Sequence, residues 1–191
     1  MKNTPLTLDI VPANADVVLV GLNPTKEAIE QKAVFCNSDA FWNVLVKSGI
    51  LHNSILKVVN NERAVEAFEA QAHSDWKVGF ADLLPLEDET DSSKVKIPVG
   101  AARHFTHHTQ NIRTAKKLVL MGQKVVDTFA KEYELTRWEN LPIVDGVKQY
   151  GSIGSVVIDG HEIEMIAVPF PVNNSIADKH TIYKAAVGLK N

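Results

Sequence analysis

The stretch Val17-Val18-Leu19-Val20-Gly21-Leu22-Asn23-Pro24-Thr25 decides how this chain is read. Val17 to Val20 are apolar without alternation, and three of the four are β-branched. That is the pattern of a short strand buried on both faces, as in a parallel sheet. Gly21 allows the chain to turn tightly, and Pro24, with its fixed φ and no N–H, ends the ladder. Asn23 is thereby delivered to the carboxyl end of a buried strand, where open α/β sheets place their ligands. Two uses of its amide fit: an Asx-type hydrogen bond that caps a turn or the next helix, or a partner inside a binding site.

Outward from this strand, the chain alternates strands and helices. Residues 1–15, with Pro5 and Pro12, lead in. A helical turn over Lys26 to Gln31 and a polar loop carrying Phe35 follow. Ser38 or Asp39 then caps a helix over Ala40 to Ser48, whose apolar residues at 41, 42, 45 and 46 form one face and which Gly49 stops. A more polar helix is predicted over Glu62 to Ala72, and a second strand over Trp76 to Pro85. The acidic segment 86–98 reads as a mobile loop. A helix from about Gly100 to Thr114 leads to a third strand, Lys117 to Gly122, and then to a helix over Lys124 to Tyr133. Tyr150 to Val157 and Glu162 to Pro169 form a hairpin about Asp159-Gly160, a strong turn signal. A terminal helix is predicted at roughly 177–188. These elements predict one α/β domain over residues 1–191, a three-layer α/β/α arrangement about a mostly parallel sheet of four strands.

Composition narrows the function classes. The chain has 191 residues, 45% hydrophobic and 23% charged, and a formal net charge of -3, so no global basic field announces nucleic acid. The single cysteine, Cys36, excludes an internal disulfide, a Cys-only zinc site and a four-cysteine iron–sulfur cluster. No apolar run approaches the ~20 residues of a membrane span. Met1-Lys2-Asn3-Thr4-Pro5 lacks the apolar core of a signal peptide, so a cytoplasmic monomer is expected.

Gly21-Leu22-Asn23-Pro24 after a buried strand resembles the Gly-Ile-Asn-Pro-Gly motif of the mismatch-specific uracil/thymine-DNA glycosylases, in the uracil-DNA glycosylase superfamily. Phe35 and then Phe41-Trp42-Asn43-Val44-Leu45 to Gly49-Ile50 resemble that family's loop aromatic, Phe-Trp helix and closing Ala-Gly-Phe. Val78-Gly79-Phe80-Ala81-Asp82-Leu83-Leu84 resembles its Gly-Val-Thr-Lys-Leu-Val strand, and Leu118-Val119-Leu120-Met121-Gly122-Gln123 its Leu-Ala-Ile-Leu-Gly-Lys. The order holds from about residue 16 to 187.

The resemblance implies a monofunctional glycosylase that flips a pyrimidine such as uracil out of DNA and hydrolyses its N-glycosidic bond without metal or organic cofactor. It implies that Asn23 positions the hydrolytic water and that Phe35 stacks on the flipped base, although a loop aromatic can equally fold back onto the core. Gly21, Leu22 and Pro24 bring backbone groups to the base edge, and Phe170 stands at the far loop. Asp82 ends a strand on the same edge, as a site residue or as a turn cap ahead of Pro85. Phe41 and Trp42 read as core, because helical spacing explains them.

The last loop departs from the family. The mismatch-specific enzymes carry Asn-Pro-Ser-Gly-Leu-Ser-Arg, whereas this chain has Phe170-Pro171-Val172-Asn173-Asn174-Ser175-Ile176. By the resemblance this loop contacts DNA, with Val172 or Ile176 as the apolar wedge and Asn173 and Asn174 as hydrogen-bonding groups. The departure keeps two other functions in view: a relative that binds a nucleobase, nucleotide or DNA without cleavage, and a hydrolase of small nucleosides. His104 and His108 share a helix face at i, i+4 spacing but have no evident third ligand, so no metal site is expected. Gly122-Gln123-Lys124 opens a helix that could hold an anion.

Overall fold

The computed structural model describes residues 9–31, 39–51, 53, 77–109, 111–171 and 178–189. The elements run β1 (Val17–Gly21), α1 (Lys26–Gln31), α2 (Asp39–Lys47), β2 (Val78–Asp82), α3 (Ala101–His108), β3 (Lys117–Met121), α4 (Gln123–Tyr133), β4 (Ile143–Val144), β5 (Val147–Lys148), β6 (Gly151–Ile158), β7 (His161–Val168) and α5 (Lys179–Val187). The predicted helix over Glu62 to Ala72 lies outside the described residues.

The central sheet has the order β2-β1-β3-β7-β6, with β2, β1, β3 and β7 mutually parallel and β6 antiparallel to β7. The sheet therefore has five strands rather than the expected four. The two-residue Asp159-Gly160 turn has φ of 50° and 83°, which matches the twist of an antiparallel pair and folds β6 back along β7 as an extra edge. A second Asp-Gly turn, at Asp145 and Gly146 with φ of 50° and 75°, closes the small β4–β5 hairpin that periodicity did not predict. The helix expected over 100–114 is also shorter. It ends at His108, Thr109 is extended, and a separate 3₁₀ turn covers Ile112–Thr114.

Alternation along the buried strands divides the core in two. Val18, Val20, Leu118, Leu120, Met165 and Ala167 face Phe105 of α3 and Val125, Val126 and Phe129 of α4. Val17, Leu19, Val119, Met121, Ile166 and Val168 face Phe41, Trp42 and Leu45 of α2 and Tyr183 and Val187 of α5. The result is three layers, with β1 apolar on both sides because both sides are covered. Phe41, Trp42 and Phe80 meet edge to face at ring separations of 5.1–6.0 Å, each contact worth about 0.5–1.5 kcal/mol beyond its area.

The outer edge of β2 is covered by the lead-in segment. Ile10 and Phe80 exchange two backbone hydrogen bonds of 2.8 Å. Gly79 makes this approach possible, since a Cβ there would stand 3.2 Å from the Val11 Cα. Pairing also continues past the strand ends: Leu83 donates to the Gly21 carbonyl and Leu84 to that of Leu22, both at 2.9 Å.

Candidate active site

The carboxyl ends of β2, β1, β3 and β7 bring Asp82, the Gly21–Pro24 turn, Gly122 and Phe170–Pro171 to one edge of the sheet. Gly122 (φ 89°) forms the floor between the turn after β1 and the loop after β7, and a Cβ on it would meet Phe170 Cβ at 3.5 Å. Its N–H donates to the Val168 carbonyl at 2.9 Å, tying the end of β3 to that of β7. The Tyr183 hydroxyl, buried under the same loop, donates to the Pro169 carbonyl at 2.9 Å. Phe170 is 39% exposed and Pro171 is buried. Phe35, Cys36 and Val172, Asn173, Asn174, Ser175 and Ile176 lie outside the described residues.

The cap of α1 is Thr25, not Asn23: the Ala28 N–H donates to Thr25 Oγ1 at 3.1 Å. Asn23 is left free for another use. Its Nδ2 donates to the Pro24 carbonyl at 2.8 Å, to that of Glu89 at 2.9 Å and, more weakly, to that of Glu87 at 3.4 Å. Carbonyls only accept, so this contact decides which atom of the amide is nitrogen. Oδ1 is turned the other way and has no hydrogen-bond partner among the described residues. The arrangement is an oriented acceptor on a half-buried side chain.

Asp82 is buried, and its Oδ1 has no partner among the described residues. It lies in register with Gly21 on β1, and by alternation its side chain is on the Val78 and Phe80 face of β2. Its N–H donates to Asp9 Oδ1 at 2.9 Å. Burial, and secondarily the Asp9 charge, pushes the Asp82 carboxyl up to about 8. Burial raises Asp9 to about 6, against the lowering effect of the Asp82 N–H. Asp82 is therefore protonated at neutral pH, a neutral group offering one donor and one acceptor.

The 86–98 segment, expected as a mobile loop, is fastened at several points. Asn23 holds Glu87 and Glu89, and Lys124 Nζ donates to the carbonyls of Ser92, Ser93 and Val95. The Lys124 side chain is thus engaged by this loop. Behind the loop a cavity of about 830 Å³ is lined by Asp9, Leu83, Glu87, Lys96, His104 and His108, among others. The His104 and His108 rings lie 4.3 Å apart, and among the described residues no group of three His, Cys, Asp or Glu is placed to hold a metal ion. Among those residues no helix is long and apolar enough to cross a membrane. Sequence reasoning missed Asp9, Gly122 as the floor and the Glu87 and Glu89 carbonyls. Only the glycine at a strand end carried a local signal.

A buried parallel sheet with Gly-Leu-Asn-Pro at the end of one strand and an aromatic-proline loop at the end of another is matched by one family model. The model described as Uracil DNA glycosylase superfamily covers residues 8–176. The chain belongs to the uracil DNA glycosylase superfamily. The matched region includes every candidate site residue named above, from Asp9 to Ser175. Superfamily membership supports a DNA-glycosylase-like activity in general, with DNA as partner. A comparison with curated proteins returns no match.

Proposed function

We propose that this chain is a monofunctional DNA glycosylase of the mismatch-specific uracil/thymine type, hydrolysing the N-glycosidic bond of uracil or a related damaged or mismatched pyrimidine. The observation that carries the reading is the Asn23 amide, held through Nδ2 by backbone carbonyls so that Oδ1 is an oriented acceptor at the sheet edge. An amide is not a base at neutral pH, but it can fix a water by hydrogen bonding. The bond from the sugar C1′ to the base nitrogen breaks with its electron pair leaving on the base. The water oxygen then bonds C1′, and its surplus proton passes to solvent. Positioning of the water and stabilisation of the departing anion supply the catalysis.

Base recognition falls to neighbouring groups. A protonated Asp82, buried beside Gly21 at the end of β2, keeps an O–H that can donate to a pyrimidine carbonyl. Gly21, Leu22 and Pro24 shape the near wall and Phe170 the far one. Phe35 stacks on the base, and Pro171 to Ser175 contact DNA, by the resemblance of those positions.

One observation favours a second reading. Two of the three carbonyls that hold Asn23 belong to the acidic run Glu87-Asp88-Glu89, with Asp91 close behind, and a strand threaded past Asn23 would bring its phosphates toward these carboxylates. A nucleoside carries no phosphate and meets no such repulsion. The deciding experiment offers labelled oligonucleotides with uracil opposite A, opposite G and unpaired, thymine opposite G, and free deoxyuridine, and measures released base. Release from an oligonucleotide supports the glycosylase. Release from deoxyuridine alone supports a nucleoside hydrolase, and binding without release makes the chain a non-catalytic relative.

A further inference from the structure

The loop that holds Asn23 is itself held from its far end, and the links between the two ends are continuous. Asn23 Nδ2 donates to the Glu89 carbonyl at 2.9 Å. The Glu89 carboxylate Oε1 accepts the Asp91 N–H at 2.9 Å. Asp91 Oδ1 in turn accepts both the Ser93 N–H at 3.0 Å and the Ser93 hydroxyl at 2.7 Å. Lys124, in the first turn of α4, then donates from Nζ to the carbonyls of Ser92, Ser93 (3.2 Å) and Val95 (3.1 Å). Its charge, behind the Ser93 and Lys94 contacts, also helps hold the Asp91 carboxyl below its ordinary range, which keeps Asp91 an acceptor.

We propose that Lys124 is a positioning residue for Asn23: through the 89–95 turn network it sets the place of the Glu89 carbonyl, which together with that of Pro24 orients the Asn23 amide. Three carbonyls converging on one ammonium hold the loop's far end at a rigid element, since α4 packs on the sheet through Val125, Val126 and Phe129. Exposed carboxylate turns of this kind are weak alone. The start of the loop is tied to β1 through the Leu84–Leu22 and Glu87–Leu84 backbone hydrogen bonds, so the Lys124 anchor acts on the segment beyond Glu87, which includes the Glu89 carbonyl. Without the Lys124 ammonium the Glu89 carbonyl is free to drift, Nδ2 keeps the Pro24 carbonyl but loses its close tie to the loop, and Oδ1 is held less narrowly in one direction. Displacement of a positioning group by about 1 Å can cost on the order of 10²-fold in rate while leaving ligand contacts in place.

The inference rests on the role proposed for Asn23, so its test carries one readout that needs no activity. The side-chain amide protons of Asn23, assigned by their loss in Asn23→Asp, report the Nδ2 hydrogen bonds by NMR. In the wild type they are expected to be slow to exchange and shifted. In Lys124→Met they move toward the position of a solvated amide, with the Pro24 contact retained, and Lys124→Arg, which keeps charge and donors, restores them in large part. Ser93→Ala cuts the network midway and is expected to give a partial effect, which keeps the test open should Lys124→Met fold poorly. In parallel, single-turnover cleavage of a uracil-containing strand is expected to fall about 10- to 100-fold in Lys124→Met, with affinity for an uncleavable analogue unchanged. An unmoved Asn23 amide in both Lys124→Met and Ser93→Ala overturns the inference whatever the rate. A displaced amide with an undiminished rate overturns it too. Absence of cleavage by the wild type refutes the glycosylase reading instead, and the amide signal still decides the link to Lys124.

Discussion

Asp82 donates its backbone N–H to Asp9 Oδ1 across 2.9 Å, which brings two carboxyl groups into one corner at the end of β2. Burial favours the neutral form of each, and the charge of Asp9 adds to the effect at Asp82. In the unfolded chain both carboxyls ionise near pH 4. In the folded protein Asp9 holds its proton to about pH 6 and Asp82 to about pH 8. Both folded values are raised, so the stability is fully present below about pH 4 and is lost as pH rises through 6 and then 8.

Asp82→Asn keeps a donor and an acceptor but cannot ionise. It is expected to flatten the stability profile between pH 5 and 8 and to raise stability at pH 8 by at least about 1 kcal/mol, since a tenfold difference in proton affinity between the folded and unfolded chain is worth about 1.4 kcal/mol. Urea unfolding across that range checks this. Parallel profiles for wild type and variant would place the titration elsewhere.

If the protonated Asp82 also reads the base, activity shares this dependence. Cleavage by the wild type is expected to decline as pH rises through about 8, because an ionised carboxylate has lost its donor. Asp82→Asn is expected to retain activity there. A pH–rate profile of the wild type that does not fall, with an inactive Asn variant, contradicts a role for the neutral carboxyl.

Much of the fold was legible because β1 states its environment. Val17 and Leu19 pack on α2 and α5 while Val18 and Val20 pack on α3 and α4, so an unbroken apolar run was the correct sign of a strand covered on both faces. The Gly-Leu-Asn-Pro turn likewise told where Asn23 would stand. Its partners were not legible: Asn23 bonds a carbonyl 66 residues away, and Asp82 bonds a carboxylate 73 residues away. Such contacts follow from sheet order and loop path, which periodicity does not encode. The five-strand count was missed for a related reason. An Asp-Gly turn announces a hairpin, but only packing decides whether its first strand joins the main sheet. The same dipeptide at Asp145-Gly146 was a usable signal for the β4–β5 hairpin and was overlooked.

Charge predicts how DNA is held. With a net charge of -3 and acidic residues behind Asn23, few phosphate contacts are expected. Duplex affinity is therefore expected to be weak, with a shallow dependence on salt. Fluorescence anisotropy from low to physiological salt measures the slope, and tight binding that falls steeply would reveal a concentrated basic face.

Phe35→Ala is expected to weaken binding of an uncleavable uracil analogue by roughly 1–3 kcal/mol, the scale of one lost base–aromatic stack. Unchanged affinity assigns Phe35 to the core.

The central claim is that Asn23 holds the attacking water, and single-turnover release of uracil by wild type, Asn23→Ala and Asn23→Asp tests it most directly. The account predicts a loss of roughly 10²-fold or more for Asn23→Ala with substrate binding nearly intact. For Asn23→Asp it predicts a rate kept or raised, because a carboxylate also orients water and favours the cationic sugar. Equal release by wild type and Asn23→Ala contradicts it.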